Sequence, residues 1–191
     1  MGTGNDDYDL ADPEVVGAID DLPVWSAPFG LKLLEVIELR KKINVLDVGS
    51  GNGFPAIELS QRLGDTCRVY CLDPWKEACR RMERKIRVWG ISNIEILNIK
   101  AEDMPFEKQF FDLIVSNNGI NNVEDDRKVL SEIARVSRDE AQMVIAVNLP
   151  GTMGEFYGVF RKVLREREMS DRIQKLDQHI FEKRKQLEEG I

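Results

Sequence analysis

Eleven consecutive residues constrain this chain more than any others: Val45-Leu46-Asp47-Val48-Gly49-Ser50-Gly51-Asn52-Gly53-Phe54-Pro55. An apolar run enters a turn with glycine at every second position, and a helical pattern follows. Glycine is needed where a ligand must approach the backbone, because a Cβ would collide with it. A strand, a glycine turn and a helix in that order place a ligand site at the carboxyl end of the first strand of an open parallel sheet.

The rest of the chain fits that sheet. Short apolar runs at 43–48, 67–72, 94–99, 111–116 and 142–147 read as buried strands. Between them lie helical patterns at 55–63, stopped by Gly64, at 75–89 and at 124–136. On the helix at 75–89, Ala78, Cys79, Met82, Ile86 and Trp89 fall near one face; on that at 124–136, Leu130, Ile133 and Ala134 read as inward. Strands alternating with helices predict an α/β fold: a doubly wound, mainly parallel sheet with helices on both faces. At 191 residues the chain is roughly one domain with an appendage. Residues 1–20 read as a flexible tail and 21–42 as a lid segment with a helix from Leu31 to about Arg40. Residues 43–150 form the core. Residues 151–191 form a helical extension, with stripes of Phe156, Phe160, Val163 and Leu164, then Ile173, Leu176, Ile180 and Leu187.

Charge and cysteine content remove several classes. With 27 basic and 34 acidic side chains the net charge is −7, which disfavours nonspecific nucleic-acid binding. Arg80, Arg81, Arg84, Lys85 and Arg87 cluster, but Glu77 and Glu83 interleave them on the polar side of a helix, as on a solvated face. Cys67 and Cys71 would lie about 13 Å apart on one strand face, too far for a bridge. The three cysteines and the lone His179 have no zinc spacing, so no metal site is expected and a reducing, cytoplasmic compartment is the default. His179, in the charged C-terminal helix, reads as a surface histidine rather than a base. No apolar run reaches the roughly 18 residues of a membrane span, and the acidic start resembles neither a signal peptide nor a myristoylation site.

The acids around the loop narrow the ligand. A dinucleotide loop is spaced G-x-G-x-x-G, and its third glycine would fall on Phe54. Asp47, two residues before the first glycine, would repel a pyrophosphate and attract an ammonium or sulfonium. Asp73, twenty residues past Gly53, suits a ribose diol, or caps the next helix with Pro74 at its first position. Loop and acids together favour a nucleoside carrying positive charge.

From Ile43 to Leu149 the chain resembles the class I S-adenosylmethionine-dependent methyltransferases, most closely their small-molecule branch with the quinone-ring methyltransferases. The resemblance rests on the glycine loop, Asp73, Ala101-Glu102-Asp103-Met104-Pro105-Phe106, the strand Phe111-Asp112-Leu113-Ile114-Val115-Ser116, and Ile133-Ala134-Arg135-Val136, in this order. It implies a Rossmann-like fold and methyl transfer to a small molecule by in-line displacement, with S-adenosylhomocysteine as coproduct. Gly49, Gly51, Asn52 and Gly53 would line the methionine part of the cofactor, with Asp47 supporting its amino group and Asn117 closing the site. Asp73 would hold the ribose, followed by Pro74 and Trp75. Trp75 lies on the adenine or simply starts the helix. Ala101 and Glu102 would meet the adenine edge, although Lys100 precedes them where the family often has Asp or Asn.

Four amides in Ser116-Asn117-Asn118-Gly119-Ile120-Asn121-Asn122 make Asn118 and Asn121 candidates for substrate contact; the other reading is a polar loop in which Asn122 caps the helix at 124. Trp25, with Ser26 and Phe29, is a candidate lid or an aromatic anchor. The family usually ends with two further strands beside the fifth; here C-terminal helices replace or precede them, and a homodimer is one way to protect the open edge. Two other classes keep the loop: a noncatalytic cofactor-binding module, and a nicotinamide-dependent oxidoreductase, which would need a glycine at Phe54.

Overall fold

The computed structural model describes residues 9–21 and 26–182. Its sheet contains β1 (Asn44–Val48), β2 (Arg68–Leu72), β3 (Ile94–Leu97), β4 (Phe111–Asn117) and β5 (Ser137–Ala146). The strand order is β3-β2-β1-β4-β5, and every pairing is parallel. A central strand covered on both faces needs a continuous apolar run. β1 supplies it: Val45, Leu46 and Val48 are fully buried, and Asp47 is the one charged residue among them. The helices α1 (Pro13–Asp21), α2 (Ala27–Val36), α3 (Ala56–Leu63), α4 (Lys76–Val88) and α5 (Asp126–Val136) belong to the same unit. α3 buries Ala56, Ile57, Leu59 and Leu63, and α4 buries Ala78, Cys79 and Met82. Each large aliphatic side chain among these contributes about 1.5–3 kcal/mol to the core.

Several boundaries differ from the sequence reading, each for a local reason. Residues 13–21 are helical where a tail is expected. Asp12 caps the helix start by accepting the Glu14 N–H at 2.8 Å, and Val16 is buried. α2 starts at Ala27, with Pro28 in its first turn, and ends at Val36 rather than near Arg40. α4 stops at Val88, so Trp89 leaves the apolar stripe and is exposed. Asp125, not Asn122, caps α5 by accepting the Lys128 N–H at 2.9 Å. The inward residues of α5 are Val129, Ile133 and Val136; Leu130 and Ala134 are exposed. β5 begins at Ser137, directly after α5, because Arg138 clamps both oxygens of Asp112 at 2.8 Å and holds a polar stretch at the sheet edge. The basic face of α4 is also partly engaged: Asp20 on α1 accepts from Arg81 Nε and Lys85 Nζ, each at 2.8 Å.

The chain divides into two units, Met1–Ala146 and Val147–Ile191. The second contains α6 (Gly154–Glu166) and α7 (Ser170–Glu182), joined by the Arg161–Asp177 ion pair at 2.7 Å. Phe156 stacks on Phe160, and both are exposed, whereas Leu164 is buried. His179 lies on α7. No sixth strand occurs among the described residues.

Candidate active site

The glycine loop is folded against its neighbours by backbone bonds. Gly49 and Ser50 N–H groups both donate to the Leu72 carbonyl at the end of β2, at 2.8 and 3.1 Å. Asp73, the next residue, accepts the Gly51 N–H on Oδ2 and the Trp75 N–H on Oδ1, each at 2.8 Å. One carboxylate therefore fixes the turn after β1 and the start of α4 together. Gly49 has φ 73°, and a Cβ there would lie 2.4 Å from the Gly119 Cα. That contact brings the loop after β4 onto the loop after β1. Ser116 locks the junction, donating its hydroxyl to the Val48 carbonyl at 2.7 Å and accepting the Ile120 N–H at 3.2 Å.

The turn after β3 is delivered by a second set of contacts. Tyr70, Phe106, Phe110 and Phe111 pack ring to ring, and Arg135 reaches the carbonyls of Met104 and Phe106. This holds the short turn Ala101–Asp103 at the carboxyl edge. Glu102 Oε1 accepts the N–H groups of Glu124 and Asp125 at 2.9 and 3.2 Å, and Lys100 pairs with Glu124 at 2.6 Å.

These loops surround one cavity of about 550 Å³. That is the size of a small-molecule site. Gly49, Gly51, Asn52, Asp73, Pro74 and Trp75 line it, as do Ala101, Glu102, Asn117 and Asn118. Of the described residues assigned from the sequence to cofactor or acceptor contact, three do not. Asp47 is fully buried in β1, and Asn121 stands behind Asn118. A Cβ on Gly53 would come within 2.7 Å of Ile57 Cδ1 and 2.9 Å of Met82, so that glycine serves helix packing. Trp25 lies outside the described residues. The sequence reading missed the wall made by Leu10, Ile19 and Asp20, together with Ser50, Phe54 and Lys100. Its signal was the cap-proline start Asp12-Pro13-Glu14. The Trp75 indole N–H donates to the Leu10 carbonyl at 2.7 Å, so Trp75 fastens this wall.

The polar groups are incompletely satisfied. Neither oxygen of Asp47 has a hydrogen-bond partner among the described residues. Burial pushes its carboxyl up to about 8; the charge of Asp73 adds to the rise, and the nearby Ala56 N–H opposes it. Burial also raises Asp73, against the two N–H groups it accepts. Ser50 Oγ, Asn52 Oδ1, Asn117 Oδ1 and Asn118 Nδ2 are buried without partners among the described residues. Buried polar atoms of native proteins are rarely left this way. Ser50, Asn52, Asn117 and Asn118 all line the cavity.

The methyltransferase domain family matches residues 39–186. The chain belongs to this family. Demethylmenaquinone methyltransferases are among its relatives: 27% identity to that of Listeria welshimeri over 69% of this chain and 57% of the relative, and 32% to that of Bacillus pumilus over 59% and 48%. The chain thus spans about half the length of these family members. A structure of a SAM dependent methyltransferase from Aquifex aeolicus is 28% identical, with TM-score 0.59, over 66% of this chain and 68% of that one. A putative S-adenosyl-L-methionine-dependent methyltransferase from Methanococcus maripaludis, at 20% identity, shares the fold over 94% of this chain and 88% of its own, with TM-score 0.65.

Proposed function

We propose that this protein transfers a methyl group from S-adenosylmethionine to a small-molecule acceptor. The observation that carries the reading is Asp47, a fully buried carboxylate without a hydrogen-bond partner among the described residues, beneath a glycine loop. A nearby positive charge stabilises such a group as an anion. The cofactor carries two, on its ammonium and its sulfonium. The unpartnered oxygens of Asn52 and Asn117 suit the same ammonium, and the open side of Gly51, where a Cβ would meet nothing within 4 Å, leaves room for a ligand against backbone. Gly49 shapes that loop. Asp73 has lone pairs left after its two backbone bonds and is assigned to the ribose. Pro74 and Trp75 flank the nucleoside, and Ala101 and Glu102 border the adenine.

When bound, the cofactor supplies an electrophilic methyl group on sulfur. The protein aligns the acceptor with that methyl and keeps water out. Alignment falls to the loops after β1 and β4, which touch at Gly49 and Gly119. Water exclusion falls to Leu10 and α1, fastened by the Trp75–Leu10 bond and by the bonds from Arg81 and Lys85 of α4 to Asp20 of α1. Phe54 occupies the wall where a dinucleotide loop carries glycine, which favours this ligand over NAD. We place the protein in the cytoplasm, where its three buried free cysteines stay reduced. We expect a second copy of the chain beside β5, the last strand of the sheet, a state that light scattering reads.

Titration calorimetry with S-adenosylmethionine, S-adenosylhomocysteine, NAD and NADP tests the reading. Micromolar binding of the first two alone is the expected result. Binding of NAD in their place overturns it, and binding of none of the four leaves a noncatalytic module as the better account.

A further inference from the structure

The loop after β4 contains an amide whose nitrogen end is buried without a partner among the described residues. Asn118 adopts φ 64°, the left-handed region that asparagine tolerates better than most side chains. Its Oδ1 accepts from Asn121 Nδ2 at 3.1 Å. That bond uses the oxygen end of the amide and leaves the nitrogen end, Nδ2, buried and without a partner among the described residues. Asn118 lines the cavity and Asn121 does not.

Position along the sheet separates this donor from the cofactor groups. Across the carboxyl edge the loops follow the order β3, β2, β1, β4. Glu102, Asp73 and the glycine loop occupy the first three, and Asn118 lies at the far end. On the methyl-transfer reading, that end belongs to the acceptor.

The carboxylates of the cavity are already committed. Asp20 accepts from Arg81 and Lys85, Asp73 from Gly51 and Trp75, Glu102 from Glu124 and Asp125, and Glu124 pairs with Lys100. No histidine, tyrosine or cysteine lines it among the described residues. Among the described residues that line the cavity, every carboxylate already has a protein partner. An N–H aimed at the acceptor's oxygen favours its anionic form.

We propose that Asn118 is a specificity residue that donates its amide N–H to an anionic oxygen of the methyl acceptor, an enolate or phenolate type of group, and that Asn121 is the positioning residue that keeps that N–H turned inward. The inference rests on the methyl-transfer reading of the cavity. The acceptor reaches the site ready to ionise, and its oxyanion is held rather than generated by a side-chain base.

The test uses the full chain saturated with S-adenosylhomocysteine and the chromogenic probe 4-nitrophenol, compared with its uncharged analogue 4-nitroanisole. The wild type is expected to prefer the phenolate by about tenfold or more, the weight of one hydrogen bond to a charged group. The absorbance titration should show bound nitrophenol ionising at lower pH than the free probe. Asn118→Gly, which suits the left-handed backbone, removes both effects. Asn118→Asp exchanges donor for acceptor and turns the preference against the anion. Asn121→Ala gives a partial loss. Calorimetry should show unchanged S-adenosylhomocysteine affinity in all three variants. No phenolate preference in the wild type, or a preference that survives Asn118→Asp, overturns the assignment. A wild type that fails to bind S-adenosylhomocysteine instead overturns the methyl-transfer reading beneath it.

Discussion

The two walls of the cavity are built by different means. The wall made by the loops after β1 and β2 is short-range and rigid: a glycine turn hooked to the Leu72 carbonyl, with one carboxylate bonded to residues on either side of it. The wall made by Leu10 and α1 is long-range. Leu10 is fastened to Trp75, and Asp20 to Arg81 and Lys85, across more than sixty positions of sequence. The first wall is part of the core, and its loss costs folding. The second lies on the core, and its loss costs closure. Substitutions on each should therefore differ in kind.

The largest effect is expected where the first wall is tightest. Gly49→Val adds a side chain into a Cβ position 2.4 Å from the Gly119 backbone, on a φ of 73° that β-branched residues avoid. Strain and overpacking together cost about 3 kcal/mol or more, read as a lower denaturation midpoint together with lost cofactor binding. Asp73→Ala comes next. It frees the Gly51 and Trp75 N–H groups and removes the proposed ribose acceptor, so S-adenosylhomocysteine affinity should fall roughly ten- to hundredfold. Comparison with the 2′-deoxy ligand separates the two roles. The wild type should prefer the hydroxylated ligand and the variant should not; an equal preference in both sinks the ribose assignment.

Asp47 sharpens the contrast through pH. Its carboxyl is pushed from 3.8 to about 8 by burial, so between those values the folded chain holds a proton that the unfolded chain has lost. Stability of the ligand-free protein therefore falls as pH rises from 3.8 towards 8 and levels off above. Asp73, raised in the same direction, acts in the same sense. Asp47→Asn should flatten the slope in melting temperature against pH. Binding of the cationic cofactor should release about one proton at pH 7 and almost none by about pH 9, measured by calorimetry in buffers of different ionisation enthalpy. Release that does not depend on pH would remove Asp47 from the charge balance of the site.

The same division explains what could be read from the chain. β1, the glycine turn and Asp73 were legible because each depends on neighbours within a few residues: an apolar run, a φ open to glycine, an acid at a strand end. The phase of α5 was not. Leu130 and Val129 are equally apolar, and only the start of the helix at Asp125 decides which of them faces inward. Ser137-Arg138-Asp139-Glu140 offers no apolar run to read, and its strand character comes from Asp112 on the neighbouring strand. The cavity wall at Leu10, Ile19 and Asp20 was hidden by its acidity. Nothing in the first twenty residues says that Arg81 and Lys85 wait on another helix.

The smallest effect is expected there. Asp20→Asn leaves the shape of α1 and removes the charge that both cations share. The pairs are partly exposed, with side chains 33% and 16% accessible for Arg81 and Asp20 and 21% for Lys85, so each contributes roughly 0.2–1 kcal/mol. The denaturation midpoint should hardly move, because the core beneath α4 is untouched. The dissociation rate of S-adenosylhomocysteine should rise, because the wall opens more often, and added salt should raise it in the wild type but little in the variant. Stopped-flow release at two ionic strengths measures this. A large drop in stability without faster release would make α1 part of the core and erase the difference between the two walls. Faster release at unchanged stability would make it a closure that works by charge.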